Sequence, residues 1–174
     1  GTGLLTVAVV AQFGPTFQGL TALLLTWALI ALAGIDLDHQ LLPDVITLPL
    51  LWLGLLVNLG GTFTDLPSAV VGAAAGYLVL WSVYWLFRLA TGREGMGYGD
   101  FKLLAALCAW LGWQQLPLIL LIASLTGALY GTTALLLKRQ ARQTPFAFGP
   151  FLALAGWLAL MWGNALSGWY GMLG

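Results

Sequence analysis

Apolar segments follow one another along this chain, too long and too closely spaced for the polar residues between them to cover. After a short first run, Leu4 to Phe13, six are legible: Phe17 to Ile35, Val45 to Leu59, Ser68 to Ala90, Phe101 to Trp113, Leu116 to Leu137 and Pro150 to Ala165. Only 7% of the 174 residues are charged, where a soluble domain carries about 25%. Mean hydropathy is +0.94. A chain of this kind is solvated by lipid. Backbone groups have no water to bond there, so each segment is expected to close its hydrogen bonds internally as a helix. A membrane barrel needs alternating segments of about 10 residues, and these runs do not alternate. The expectation is an all-α, polytopic transmembrane bundle with about six membrane helices plus a partial N-terminal one, forming a single membrane-embedded domain over 1–174. Nine Trp and five Tyr suit the two bilayer interfaces.

Two segments depart from a simple span. Leu4 to Phe13 is too short to cross and has no basic residues before it, so it reads as the tail of a cut or processed helix rather than a signal peptide. Phe101 to Trp113 reaches only about 20 Å at the helical rise, short of a ~30 Å hydrocarbon core. It is expected to be shielded by its neighbours, tilted or in thinned bilayer, or to begin earlier, within the glycines before it. Gly72 and Gly76, and Gly127 and Gly131, give two small-xxx-small spacings of the kind that allows close helix packing.

Threading the segments alternately puts all six Lys and Arg on one side: Arg88, Arg93, Lys102, Lys138, Arg139 and Arg142. The opposite loops carry only Asp65 as a charge. By the positive-inside rule the first side is cytoplasmic. Net charge is zero, so no basic field argues for a nucleic acid partner. Cys108 is the one cysteine and His39 the one histidine. Together they offer no metal site, and Cys108, inside an apolar run, reads as an inert packed thiol.

The acids are the informative residues. Asp36, Asp38, Asp44, Glu94 and Asp100 all fall on the cytoplasmic side. Asp36 directly follows an apolar run, and Asp100 directly precedes one, within EGMGYGDFK (94–102). Carboxylates at that depth are costly and point to function. Two that face each other cannot both ionise easily, and such a pair can hydrolyse a peptide: one member takes a proton from water while the other polarises the scissile carbonyl. Gly97 and Gly99, on either side of Tyr98, would then supply positive φ and close approach for a substrate backbone. The plainer reading makes Asp100 a helix N-cap and Asp36 a solvated interface residue. A small ion or proton transporter would use the same acids, although no internal repeat is seen and the acids sit at helix ends rather than mid-membrane. A non-catalytic assembly subunit is a third reading, and it leaves the glycine-flanked Asp100 unexplained.

IDLDHQLLPDVITLPLLWLGLLVN (35–58) followed by TGREGMGYGDFKLLAALCAWLGWQQLP (91–117) closely resembles the bacterial type IV prepilin peptidases, membrane aspartic proteases of the GxGD class. Gly97-Tyr98-Gly99-Asp100 matches the motif. The family's first catalytic aspartate stands seven residues before the proline of a Leu/Ile-Pro-Asp/Asn motif, which here is Pro43 and points to Asp36. FGPFLALAGW (148–157) is similar to the family's C-terminal segment. The resemblance implies an inner-membrane hydrolase of type IV pilus and type II secretion systems. Its substrates are prepilins and pseudopilins, whose basic leader peptide it cuts at the cytoplasmic face, after a glycine and before a hydrophobic residue. It implies no cofactor for the cutting. Methylation of the new N-terminus, with zinc and S-adenosylmethionine, belongs in the family to an N-terminal domain with paired cysteines. This chain has only Cys108, so that domain is expected upstream of Gly1.

The supporting acids and their neighbours are ranked below the pair. Asp38 and Asp44 are alternatives to Asp36, and Asp44 also reads as a cap for a helix starting at Val45. Glu94 and Lys102 are candidates to orient the site or bind the leader, with a solvated face the simpler role. Asp38, Asp44 and Glu94 together would attract a basic leader. Arg88 and Arg93 read as topology anchors.

Overall fold

A computed structural model describes residues 1–92, 97–137 and 147–172. Seven α-helices follow in chain order: α1 (Thr2–Phe13), α2 (Phe17–His39), α3 (Asp44–Val57), α4 (Leu66–Thr91), α5 (Tyr98–Leu111), α6 (Leu116–Leu136) and α7 (Gly149–Met172). There is no strand among the described residues. The six expected segments and the N-terminal run are all helical. Three helical stretches are long and apolar enough to cross a membrane: Phe17–His39, Leu66–Thr91 and Trp113–Leu136, the last including the short turn before α6. The chain is thus a multi-pass membrane helical bundle. Arg93, Glu94, Lys138, Arg139 and Arg142, four of them in the charge-sidedness argument, lie outside the described residues.

Local chemistry sets the helix ends. The Thr16 hydroxyl accepts from the Gly19 N–H (3.0 Å) at the start of α2, and Asp65 accepts from the Ser68 N–H (3.1 Å) at the start of α4. Each satisfies one of the amide donors that a first turn leaves open. Gly92 closes α4 at φ 70°, a conformation that glycine adopts without a Cβ penalty.

The short fourth segment is α5, and it is the axis of the bundle. Phe101 and Leu103 through Leu111 are all buried. α3, α4 and α7 pack around this helix, so neighbours rather than lipid make up for its length. Lipid gives little hydrophobic drive for helix association, and close packing must do the work. Glycines on three helices provide it. A Cβ on Gly54 of α3 would sit 2.5 Å from the Trp110 ring, and one on Gly72 of α4 would sit 2.6 Å from the Cys108 carbonyl. Gly76 comes within 3.0 Å of the Leu104 carbonyl by the same measure, and a Cβ on Gly156 of α7 would strike the Leu107 side chain. The Gly72/Gly76 spacing therefore does what its pattern suggested. The second spacing is different: Gly127 is buried, but a side chain on Gly131 would meet open space. Cys108 is buried and unpaired.

The C-terminal end of α5 is locked by polar contacts. Asn58 is 0% exposed. Its amide donates to the carbonyls of Ala109 (2.8 Å) and Trp110 (2.9 Å), and its carbonyl oxygen accepts from the N–H groups of Phe63 (3.0 Å) and Thr64 (3.2 Å). The Trp110 indole donates to the Leu50 carbonyl (2.8 Å). Nearby, Gln114 donates to the Ser68 hydroxyl (3.0 Å).

Candidate active site

The opposite end of α5 gathers the chemistry-bearing residues. On α2 the buried positions Ala22, Leu25, Leu29, Leu32 and Asp36 recur at helical spacing. Asp36 thus continues an apolar stripe into the bundle and is 5% exposed. The helix runs on to His39, past the end expected at Ile35, and this carries Asp36 inward. Asp38, about 200° further round, is exposed, as is His39. Gln40 then turns the chain back in a left-handed conformation (φ 53°).

Asp100 is the third residue of α5 and is 7% exposed. It is not the N-cap: Gly97 takes that place at φ −86°, and α5 starts inside the glycine run. As a first-turn acid, Asp100 lies where the helix dipole favours negative charge. The Gly97 and Gly99 backbones are not in the positive-φ region, which corrects the expectation for both. Gly97 has open space around it, whereas a Cβ on Gly99 would lie 2.7 Å from the Leu42 Cβ. Space, not backbone conformation, requires the glycine at 99. Tyr98, half-exposed, turns toward α4 and packs on Tyr84 (5.4 Å) and Phe101 (5.5 Å).

α7 completes the site. The Gly149 N–H donates to Asp36 Oδ2 at 3.0 Å, and a Cβ there would strike that carboxylate. Asp36 and Asp100 are within electrostatic reach of each other. Among the described residues neither is in an ion pair. Two buried carboxyls from different helices, one of them oriented by a backbone amide, suit general acid–base chemistry on a neutral substrate.

The supporting candidates separate. Lys102 pairs with Asp44, 2.8 Å to both carboxylate oxygens, at a part-exposed position. Asp44 is the first residue of α3 after the N-cap Pro43, and makes no capping bond; this corrects its reading as the cap. The pair ties α3 to α5 beside the site. Glu94 lies outside the described residues. Among the described residues no group of three or more metal-ligating side chains occurs. Gly149 was not singled out from the sequence; its place in the quoted FGP run, at the start of an apolar segment, was the available signal.

The Type IV leader peptidase family matches residues 23–132. The chain is 61% identical over 169 residues to the prepilin leader peptidase/N-methyltransferase of Aeromonas hydrophila, covering 97% of this chain and 58% of that protein. Identity is 57% over 169 residues to the protein of the same name in Pseudomonas aeruginosa, and 56% over 168 residues to that in Stutzerimonas stutzeri, with the same shares covered. The chain spans somewhat over half the length of these curated relatives. No solved structure matches it. By the extent of the family match and the identity to these relatives, the chain belongs to the type IV leader peptidase family.

Proposed function

We propose that this chain carries the peptidase activity of a prepilin peptidase: a membrane aspartic endopeptidase that cuts the basic leader from type IV prepilins and pseudopilins. Asp36 and Asp100 are the catalytic pair. The observation that carries the reading is the placement of these two carboxyls, both buried, at one end of the bundle and within electrostatic reach. Family membership supplies the substrate class.

One carboxylate takes a proton from the attacking water, and the partner carboxylic acid donates a hydrogen bond to the scissile carbonyl. The proton then passes to the leaving amine. The Gly149 amide fixes the rotamer of Asp36. The site faces the cytoplasm, the side to which Arg88 and Lys102 belong in the threading. The exposed Asp38 and the Asp44–Lys102 pair lie on the approach of a basic leader. The proposal covers the cutting step; the methyl transfer in the relatives' name is not carried over to these residues.

The test is cleavage of a purified prepilin by the chain in lipid, with the product identified by mass. Wild type should cut after the leader glycine, and Asp36→Asn and Asp100→Asn should each lose at least about 1,000-fold in rate. Full activity in either variant would remove that residue from the pair.

A further inference from the structure

We propose that Leu42 is a positioning residue that sets the separation of the two carboxyl-bearing segments, and that Gly99 is glycine to receive it. This rests on the peptidase reading of Asp36 and Asp100.

Leu42 sits between the two halves of the site. It lies in the connection from α2 to α3, between Gln40 with its positive φ and Pro43. A leucine in a four-residue surface connection would ordinarily be exposed, as its neighbour Leu41 is, yet Leu42 is 5% exposed. Toward α5, the Cβ position of Gly99 is 2.7 Å from Leu42 Cβ, 3.4 Å from its carbonyl oxygen and 3.5 Å from Cδ1. Toward α7, the Cβ position of Gly149 is 3.2 Å from Leu42 Cδ1. Gly99 immediately precedes Asp100, and Gly149 holds Asp36. One side chain therefore contacts the residue beside each carboxyl.

The contacts differ in kind. At Gly99 the first atom a methyl would meet belongs to Leu42, at the stiff base of its side chain. At Gly149 the first atom is the Asp36 carboxylate oxygen, and Leu42 is met only after it. An added methyl at 99 therefore displaces Leu42, and α5 with Asp100 moves away from α2. An added methyl at 149 displaces Asp36 whatever stands at 42. Active-site shifts of about 1 Å can cost about 100-fold in rate.

This asymmetry gives a double-mutant cycle, measured as kcat and KM for prepilin cleavage in lipid, with thermal unfolding to confirm folding. Gly99→Ala is expected to lose about 100-fold in kcat with KM little changed. In the Leu42→Gly background, which has no Cβ to strike, the same Gly99→Ala change should cost less than about 3-fold, well outside simple additivity. Gly149→Ala should be equally damaging in both backgrounds. Leu42→Met keeps the volume and should stay near wild type, while Leu42→Ala loses kcat; these two carry the test if Leu42→Gly does not fold. Additive effects at 42 and 99, or a Leu42→Ala variant with raised KM and unchanged kcat, would overturn the proposal, the second by making Leu42 a substrate contact. Asp36→Asn and Asp100→Asn controls separate the levels. If they cut like wild type, the peptidase reading fails and this inference falls with it. If they are inert and the cycle is additive, only the inference fails.

Discussion

The two ends of α5 treat buried polar groups in opposite ways. At the C-terminal end, Asn58 engages four backbone groups with its one amide. At the N-terminal end, Asp100 is almost as deeply buried, and its carboxyl has one backbone partner, the N–H of Gly97. Asp36 beside it has a single backbone donor. An amide with every group satisfied holds a structure together. Carboxyls left partly unsatisfied in the same low-dielectric interior weaken it, and such a cost persists where chemistry needs the groups. On the proposed reading, the same helix is fastened at one end and kept ready for reaction at the other.

The contrast can be broken most easily at Asn58. Asn58→Ala leaves two carbonyls and two N–H groups dry, and should lower stability by about 4 kcal/mol, read as a drop in the unfolding midpoint in detergent. The molecules that remain folded should still cut prepilin. Next in size is Gly72→Ala, whose methyl would press on the Cys108 carbonyl at the fastened end; overpacking of this kind costs about 2 kcal/mol. Gly131→Ala is the counterpart at the same residue type. With open space around it, it should stabilise α6 by about 0.7 kcal/mol through helix propensity alone. A smaller effect is expected for Lys102→Met: the part-exposed pair with Asp44 contributes below about 0.5 kcal/mol, so a loss of activity larger than the loss of stability would show that the pair serves the leader.

The smallest effect is the pH response of Asp65. Its hydrogen bonds to Ser68 hold its carboxyl below the ordinary value. A group whose pKa is lowered on folding adds stability above its unfolded pKa and loses it as pH falls. The difference between wild type and Asp65→Ala should be constant at neutral pH. It should shrink once pH falls below about 4 and vanish beneath the lowered value. Unfolding midpoints across that range check it.

Much of this was legible in the sequence because lipid leaves the backbone so few options. The order of helices, the short buried α5, and the placing of Asp36 and Asp100 at one end all follow from apolar runs and the charges between them. Asp36 was preferred to Asp38 for its place directly after an apolar run and for the resemblance; its burial was not legible, because only when α2 is continued to His39 does Asp36 join the stripe of Leu25, Leu29 and Leu32. The role of Gly99 was misread, since a glycine needed for space and one needed for positive φ look alike until its neighbour, Leu42, is seen. Gly131 failed for a related reason: spacing gives the face of a helix but not whether another helix comes to it. Asn58 and Gly149 act through contacts made across more than 50 residues of sequence, which no local pattern records.

The most direct test measures cleavage and stability together on four proteins in the same lipid: wild type, Asp36→Asn, Asp100→Asn and Asn58→Ala. The account predicts that both aspartate variants lose cleavage while their unfolding midpoints stay level or rise, and that Asn58→Ala unfolds early but cuts at near wild-type rate per folded molecule. Aspartate variants that unfold early, or that still cut a prepilin as wild type does, would contradict it.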